Sequence, residues 1–248
     1  MIDWQAIETV LFDMDGTLLD LHYDNYFWLE HLPKFYAKHK GWTETKTKNW
    51  LMAQFKTKYH SLDFYCIDHW EALLGVDIIA LKKEINHMID FLPYAQDLLK
   101  QLTALPVKTA IVTNAHRRTL AIKDQVIQIT DYVDEDFCSH DFQLPKEDPE
   151  FWSALARTYS FNPATTVLVD DNERVLASAA SFGIQQLVMP LKPDSMRPLQ
   201  KMRQPDEFIG IHCLSELLHN KAVRISKPGL ISRRKYNERK KKSGKCKN

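Results

Sequence analysis

Short apolar runs alternate along this chain with segments of helical period. "TVLF" (9–12) stops at Asp13, "VKTAIV" (107–112) at Thr113, "TTVLV" (165–169) at Asp170, and "IQQLVM" (184–189) at Pro190. Between and after them, "PYAQDLLKQLTAL", "AHRRTLAIKDQVIQI", "PEFWSALARTYS" and "ERVLASAASFG" place apolar residues every three to four positions, the spacing of one buried helix face. Strand runs separated by helices predict an α/β fold built on a parallel sheet. Several runs lack polar alternation, as expected of strands covered on both faces. "CLSELLH" (213–219) reads as one further helix.

Nearly a hundred residues separate the first run from the second, far more than a strand-to-helix connection needs. The stretch from Asn25 to His87 is rich in aromatics and lysine and poor in glycine and proline. Spacings such as Trp50, Phe55, Tyr59 and Leu62, Tyr65, Cys66, His69 are helical. The expectation is a small helical cap at 21–89 inserted into a core made of 1–20 and 90–220.

Composition adds a body and a tail of opposite character. The net charge is only +1, yet Lys221 to Asn248 carries twelve Lys/Arg and a single acid, Glu238, so the rest of the chain is acidic. The tail, 221–248, has too little apolar content to bury a core and is expected to be disordered. Weak contact with RNA or another polyanion is the functional alternative to a solvated extension. The four cysteines (Cys66, Cys138, Cys213, Cys246) form no CxxC pair, which suggests neither a disulfide framework nor a zinc knuckle. With no run of 18 apolar residues and no apolar segment at the start, the expected setting is cytoplasmic, without membrane contact.

The chemistry is expected at one sheet edge, because open α/β sheets bind ligands beyond the carboxyl ends of their strands. Three predicted strands end there in polar residues: Asp13 with Asp15, Thr113 with Asn114, and Asp170 with Asp171. One strand ending in Asp is commonly a turn or helix cap. Three ending together point to a site, and its carboxylates repel one another unless a cation neutralises them. Short oxygen ligands suit Mg²⁺ bound together with a substrate phosphate.

At these residues the chain resembles a known family. "DMDGT" (Asp13 to Thr17), Thr113, Lys146 within "LPKEDPEFW", and Asp170-Asp171 resemble, in order and spacing, the four motifs of haloacid dehalogenase (HAD) superfamily phosphatases. The resemblance implies a Rossmann-like core with a helical cap. It makes Asp13 the nucleophile that forms an aspartyl-phosphate and Asp15 the acid and then base. Thr113 becomes a hydrogen-bond donor to phosphate and Lys146 a charge-balancing cation. Asp13, Asp171 and the Asp15 main chain become Mg²⁺ ligands, with Asp170 a further candidate. An acid at position 15 implies an ester leaving group, because an alkoxide needs a proton and a halide does not.

Longer matches, "DLHYDNYFW" (20–28), "YCIDHW" (65–70), "TNAH" (113–116) and "PKED" (145–148), are similar to the branch that hydrolyses GMP and IMP. This implies a purine nucleoside 5′-monophosphate as substrate. Asp24, Asn25 and Asn114 are the polar contacts expected for it, with Lys146. Tyr23, Tyr26, Phe27 and Trp28 either stack a base or pack the cap. His116 and Arg117 either lie on a helix surface or meet phosphate and ribose. Alternatives are a phosphatase for sugar phosphates or another small metabolite, a phosphomutase, and a polyanion-binding protein on a vestigial core.

Overall fold

A computed structural model of the chain describes residues 2–201 and 207–217. Six strands, β1 (Thr9–Phe12), β2 (Lys108–Thr113), β3 (Glu135–Cys138), β4 (Thr166–Val169), β5 (Gln186–Pro190) and β6 (Ile209–Ile211), form one sheet in the order β3-β2-β1-β4-β5-β6. Every neighbouring pair is parallel. The wholly apolar "VLF" explains why β1 occupies the middle. Val10 and Phe12 belong to the apolar cluster on one face and Leu11 to that on the other, the period of two that a sheet covered on both sides requires.

Helices supply that cover. Between β1 and β2 run α1 (His22–Tyr26), a π-helical turn Phe27–His31, α2 (Leu32–Lys40), α3 (Glu44–Lys58), α4 (Leu62–Tyr65), α5 (Ile67–Leu74), α6 (Ile78–Glu84) and α7 (Ala95–Leu102). The rest are α8 (Arg117–Ile127), α9 (Pro149–Thr158) and α10 (Glu173–Phe182). Leu98, Leu99 and Leu102 of α7 and Leu120 of α8 pack on the Val10 face, while Phe151, Trp152 and Leu155 of α9 and Leu176 of α10 pack on the Leu11 face. Sequence sets the helix ends: Asp148 caps α9, with Pro149 opening it, and Asn172 caps α10. At the other end of α10, Gly183 adopts the left-handed conformation (φ 111°).

The residues from α1 to α6 form the helical insertion. Its interior is aromatic: the Phe55 ring meets Trp28 and Trp70 edge to face at 5.6 and 5.0 Å, and Tyr36 stacks on Trp50 at 5.7 Å. Tyr23, Phe27 and Trp70 continue the apolar cluster on the Val10 side of the sheet, so the insertion is seated on the core.

Two strands lie outside the sequence expectation. Among the described residues β3, "EDFC", pairs only with β2, and β6 only with β5. Edge strands meet solvent along one side and hold their place through backbone pairing, so an acidic or three-residue stretch suffices. "CLSELLH" is shorter than expected, a single 3₁₀ turn at Leu214–Leu217 within the described residues. The basic tail, 221–248, and its polyanion contact lie outside the described residues. Among the described residues no helix is long and apolar enough to cross a membrane.

The strand order reverses at β1, with β2 on one side and β4 on the other. The crevice beyond their carboxyl ends is where such sheets bind ligands.

Candidate active site

Strand register brings the carboxylates together. The Asp13 amide donates to the Val169 carbonyl at 2.9 Å, one step beyond the pairing of Phe12 with Val169, so Asp13 stands beside Asp170 at the same edge. Thr113 ends β2 alongside them. Between these carboxylates lies Lys146, from the loop before α9, only 1% exposed. Its ammonium donates to Asp13 Oδ1 at 2.6 Å, Asp170 Oδ2 at 2.7 Å and the Val112 carbonyl at 2.9 Å, using all three of its donors. Burial opposes the charge, but Asp13 and Asp170 more than offset it and raise the Lys146 pKa. The loop is fixed by the Lys146 amide on Asn114 Oδ1 (2.9 Å) and by the Trp152 indole on the Lys146 carbonyl (3.1 Å).

Negative charge is nevertheless in excess. Carboxylate oxygens of Asp13, Asp170 and Asp171 lie within 4.8 Å of one another. Burial, and then the Asp170 and Asp13 charges, hold the Asp171 pKa well above the usual carboxylate value. Asp170 is pushed up to about 7, chiefly by burial, although Lys146 pulls the other way. Both Asp170 oxygens are engaged, by Lys146 and by the Asn172 amide, whereas Asp171 has no hydrogen-bond or ion-pair partner among the described residues. Clustered hard oxygens with one carboxylate unpartnered fit a divalent cation such as Mg²⁺. Gly16 makes room for this geometry: its φ is +83°, and a Cβ there would lie 2.6 Å from Asp171 Oδ2.

The Asp15 side chain is not part of that trio. Its Oδ1 accepts from Lys123 Nζ at 2.5 Å, and the same ammonium donates to Asp24 Oδ2 at 2.6 Å, while Lys82 donates to Asp24 Oδ1 at 2.6 Å. The result is a buried chain of alternating charges, Asp15–Lys123–Asp24–Lys82. Burial raises the Asp15 pKa to about 6, with Lys123 opposing and Asp24 and Asp13 assisting. For Asp24, burial raises the pKa, but the two lysines outweigh it and hold the carboxyl well below its ordinary range.

Asp13, Asp15, Thr113, Lys146, Asp170 and Asp171 all line one cavity of about 860 Å³, roofed by Trp28, Phe55, Phe64 and Trp70 of the insertion. Asn114 is there too, with its amide nitrogen donating to Glu147 Oε2 at 2.9 Å; Tyr65 of α4 donates to Glu147 Oε1 at 2.6 Å and ties insertion to core. Two expected substrate contacts, Asp24 and Asn25, line the cavity and also hold partners within the protein. Asp24 faces the cavity but gives both oxygens to lysines, and Asn25 donates to Asp194 Oδ2 at 2.7 Å. Tyr23 and Phe27 are buried in the apolar cluster beneath Lys82 rather than presented to a base; Trp28 lines the cavity. Arg117 pairs with Asp136 and Asp141, while His116 caps α8 and lines the cavity.

Lys82, Lys123 and Glu147 escaped the sequence reading. A signal existed for the lysines: each occupies an apolar-period position of its helix, Lys82 with Ile78 and Leu81, Lys123 with Thr119 and Leu120, and each is 1% exposed. A lysine in register with core residues is buried only if paired.

Known proteins are similar to this chain in sequence and in fold. Residues 7–183 match the family model described as haloacid dehalogenase-like hydrolase. The chain is 36% identical over 194 residues to the GMP/IMP nucleotidase YrfG of Escherichia coli (strain K12), covering 78% of this chain and 87% of that protein. Among solved structures it is similar to a HAD phosphatase from Thermococcus onnurineus, with a TM-score of 0.70, 19% identity, and coverage of 86% of this chain and 98% of that one. A putative beta-phosphoglucomutase from Thermotoga maritima gives a TM-score of 0.60 at 18% identity, over 86% of this chain and 97% of that one. The chain belongs to the haloacid dehalogenase-like hydrolase family.

Proposed function

We propose that this protein is a Mg²⁺-dependent phosphomonoesterase acting on purine nucleoside 5′-monophosphates of the GMP and IMP type through an aspartyl-phosphate. The observation that carries the reading is Lys146, buried between Asp13 and Asp170 at 2.6 and 2.7 Å beside the unpartnered Asp171. A buried cation lets a carboxylate approach an anionic phosphorus that would otherwise repel it.

Asp13 attacks phosphorus through a carboxylate oxygen, forming an O–P bond as the ester P–O bond breaks. Asp15, with a pKa of about 6, holds a proton close enough to neutrality to deliver it to the departing nucleoside oxygen. The resulting carboxylate then takes a proton from the water that attacks the phosphoryl group and returns Asp13. Thr113 Oγ1 accepts from the Ala115 amide at 3.1 Å, which leaves its hydroxyl hydrogen for a phosphoryl oxygen. Asp13 and Asp171 would hold Mg²⁺, with the Asp15 main-chain carbonyl, while Asp170 orients Lys146. The ion, when bound, supplies positive charge against the phosphate oxygens.

The purine assignment draws on the 36% identical relative named as a GMP/IMP nucleotidase and on the aromatic roof of the cavity. Indole and phenyl faces take up a planar base while the phosphate reaches the carboxylate edge. The test is phosphate release from GMP, IMP, AMP, pyrimidine nucleotides and sugar phosphates at matched concentrations with Mg²⁺. Selective turnover of GMP and IMP is expected, abolished by Asp13→Asn and by chelator. A flat profile removes the nucleotide assignment, and turnover surviving Asp13→Asn removes the mechanism.

A further inference from the structure

The insertion and the core also meet at a second group of metal-binding side chains, none of them in the carboxylate trio. Cys66 lies between α4 and α5, His116 at the start of α8, and His140 in the turn Ser139–Asp141 that follows β3. One donor atom from each lies within 4.8 Å of the other two. Cys66 is a free thiol. Both ring nitrogens of His140 are buried with no hydrogen-bond partner among the described residues, an expensive state for an imidazole unless a ligand takes up a lone pair.

We propose that Cys66, His116 and His140 form a site for a zinc-class transition-metal ion that staples the helical insertion to the core at the rim of the active-site cavity. One thiolate and two imidazoles form a donor set suited to Zn²⁺ or Co²⁺ and unsuited to Mg²⁺. Tetrahedral bonds of about 2.0–2.3 Å separate ligand atoms by about 3.3–3.6 Å, so the three side chains close by on the order of 1 Å, which side-chain rotation supplies. Burial, and then His116, push the His140 pKa down to about 4, so its imidazole is neutral and its lone pair available near neutral pH. Asp68 Oδ2 stands 3.6 Å from His116 Nε2, and Asp68 and Asp63 both act on His140, placing negative charge around the ion.

Binding releases the Cys66 thiol proton to solvent. His116 Nδ1 now accepts a long bond, 3.3 Å, from the Arg118 amide. An ion on Nε2 moves the ring proton to Nδ1 and replaces that bond. A fourth position is left for water or Asp68. Because Cys66 travels with the insertion and both histidines with the core, the ion acts as a latch across the junction that Tyr65 and Glu147 also bridge.

The experiment uses the full chain with saturating Mg²⁺, so that the carboxylates are occupied, and titrates Co²⁺ alone. A saturable thiolate-to-cobalt charge-transfer band is expected, displaced by Zn²⁺, absent in Cys66→Ser and weakened at least about tenfold in affinity in His140→Asn. Zn²⁺ is expected to raise the thermal midpoint of the wild type clearly more than that of either variant. The absence of the band in the wild type overturns the site, as does a band unchanged in Cys66→Ser, which would point to another cysteine. An equal midpoint rise in all three proteins does the same. Circular dichroism checks that each variant folds, and if Cys66→Ser does not, His140→Asn decides alone. None of these readouts depends on phosphatase activity, so failure of the site and failure of the proposed reaction are separable.

Discussion

Asp15 and Asp13 are two residues apart in sequence and differ in environment. Asp13 faces Lys146 and the metal-type trio, whereas Asp15 faces Lys123. In the proposed reaction the nucleophile needs a charged carboxylate beside a cation and the acid a pKa nearer working pH, toward which burial raises that of Asp15, to about 6. Asp15→Asn is therefore expected to lower kcat by about 10²–10⁴-fold in steady-state phosphate release. Asp24 has a structural part to play. Without its charge, Lys82 is buried with no carboxylate and Lys123 keeps only Asp15. Asp24→Asn is expected to cost about 3–5 kcal/mol in urea unfolding at pH 7. The Asp24 pKa is lowered on folding, so its stabilisation is present above the unfolded carboxyl value of about 3.9 and is lost as pH falls from there through the folded value. The gap between variant and wild type should narrow below about pH 4. A constant gap across acid pH would show that the ion pairs contribute nothing to it.

At the scale of elements, the end of β1 matters most. "TVLF" is legible as a buried strand because it is apolar throughout, and "DMDGT" as its functional end because carboxylates are misplaced in a core. Gly16 joins the two: its positive φ turns the chain while Asp171, from the end of β4, comes within 2.6 Å of where a Cβ would stand. Gly16→Ala is expected to cost on the order of 1–3 kcal/mol in denaturant melts, from backbone strain and overpacking. It should also weaken Mg²⁺ by displacing Asp171, readable as a raised Mg²⁺ requirement; an unchanged requirement would detach Gly16 from the metal site. β3 and β6 were illegible for a different reason. Their residues do not encode a strand pattern, and their neighbours' unpaired backbone groups recruit them.

For the molecule as a whole, the carboxylate cluster is expected to weigh on stability when no cation is bound. Asp171 and Asp170 have raised pKa values, so the unfolded chain releases their protons more readily. Stability from these groups is then full below about pH 3.9 and falls as pH rises toward their folded values. Asp171→Asn is expected to raise the thermal midpoint in chelator at neutral pH while losing Mg²⁺-dependent stabilisation. If the wild type binds Mg²⁺ as proposed, that stabilisation is expected to reach about 2.7 kcal/mol at 100 times the dissociation constant. A variant less stable than wild type in chelator would show that repulsion among the carboxylates is not the governing effect.

The sequence by itself determined the α/β class, the run of helices between β1 and β2 and the polar residues that end the central strands. Apolar runs ending in Asp13, Thr113 and Asp170 encode both the burial of the strands and the polarity of their ends. Tertiary structure alone decided which of those groups are free and which are spent. Asp24 and Asn25, polar and close after Asp13, were expected to meet substrate; both line the cavity, Asp24 while paired with Lys82 and Lys123 and Asn25 while donating to Asp194. Cys66, His116 and His140 show no metal-binding spacing in the chain, yet converge across the junction of insertion and core. Periodicity reports which face of an element is buried, but which side chain meets which depends on packing between segments more than a hundred residues apart, as with Asp15 and Lys123.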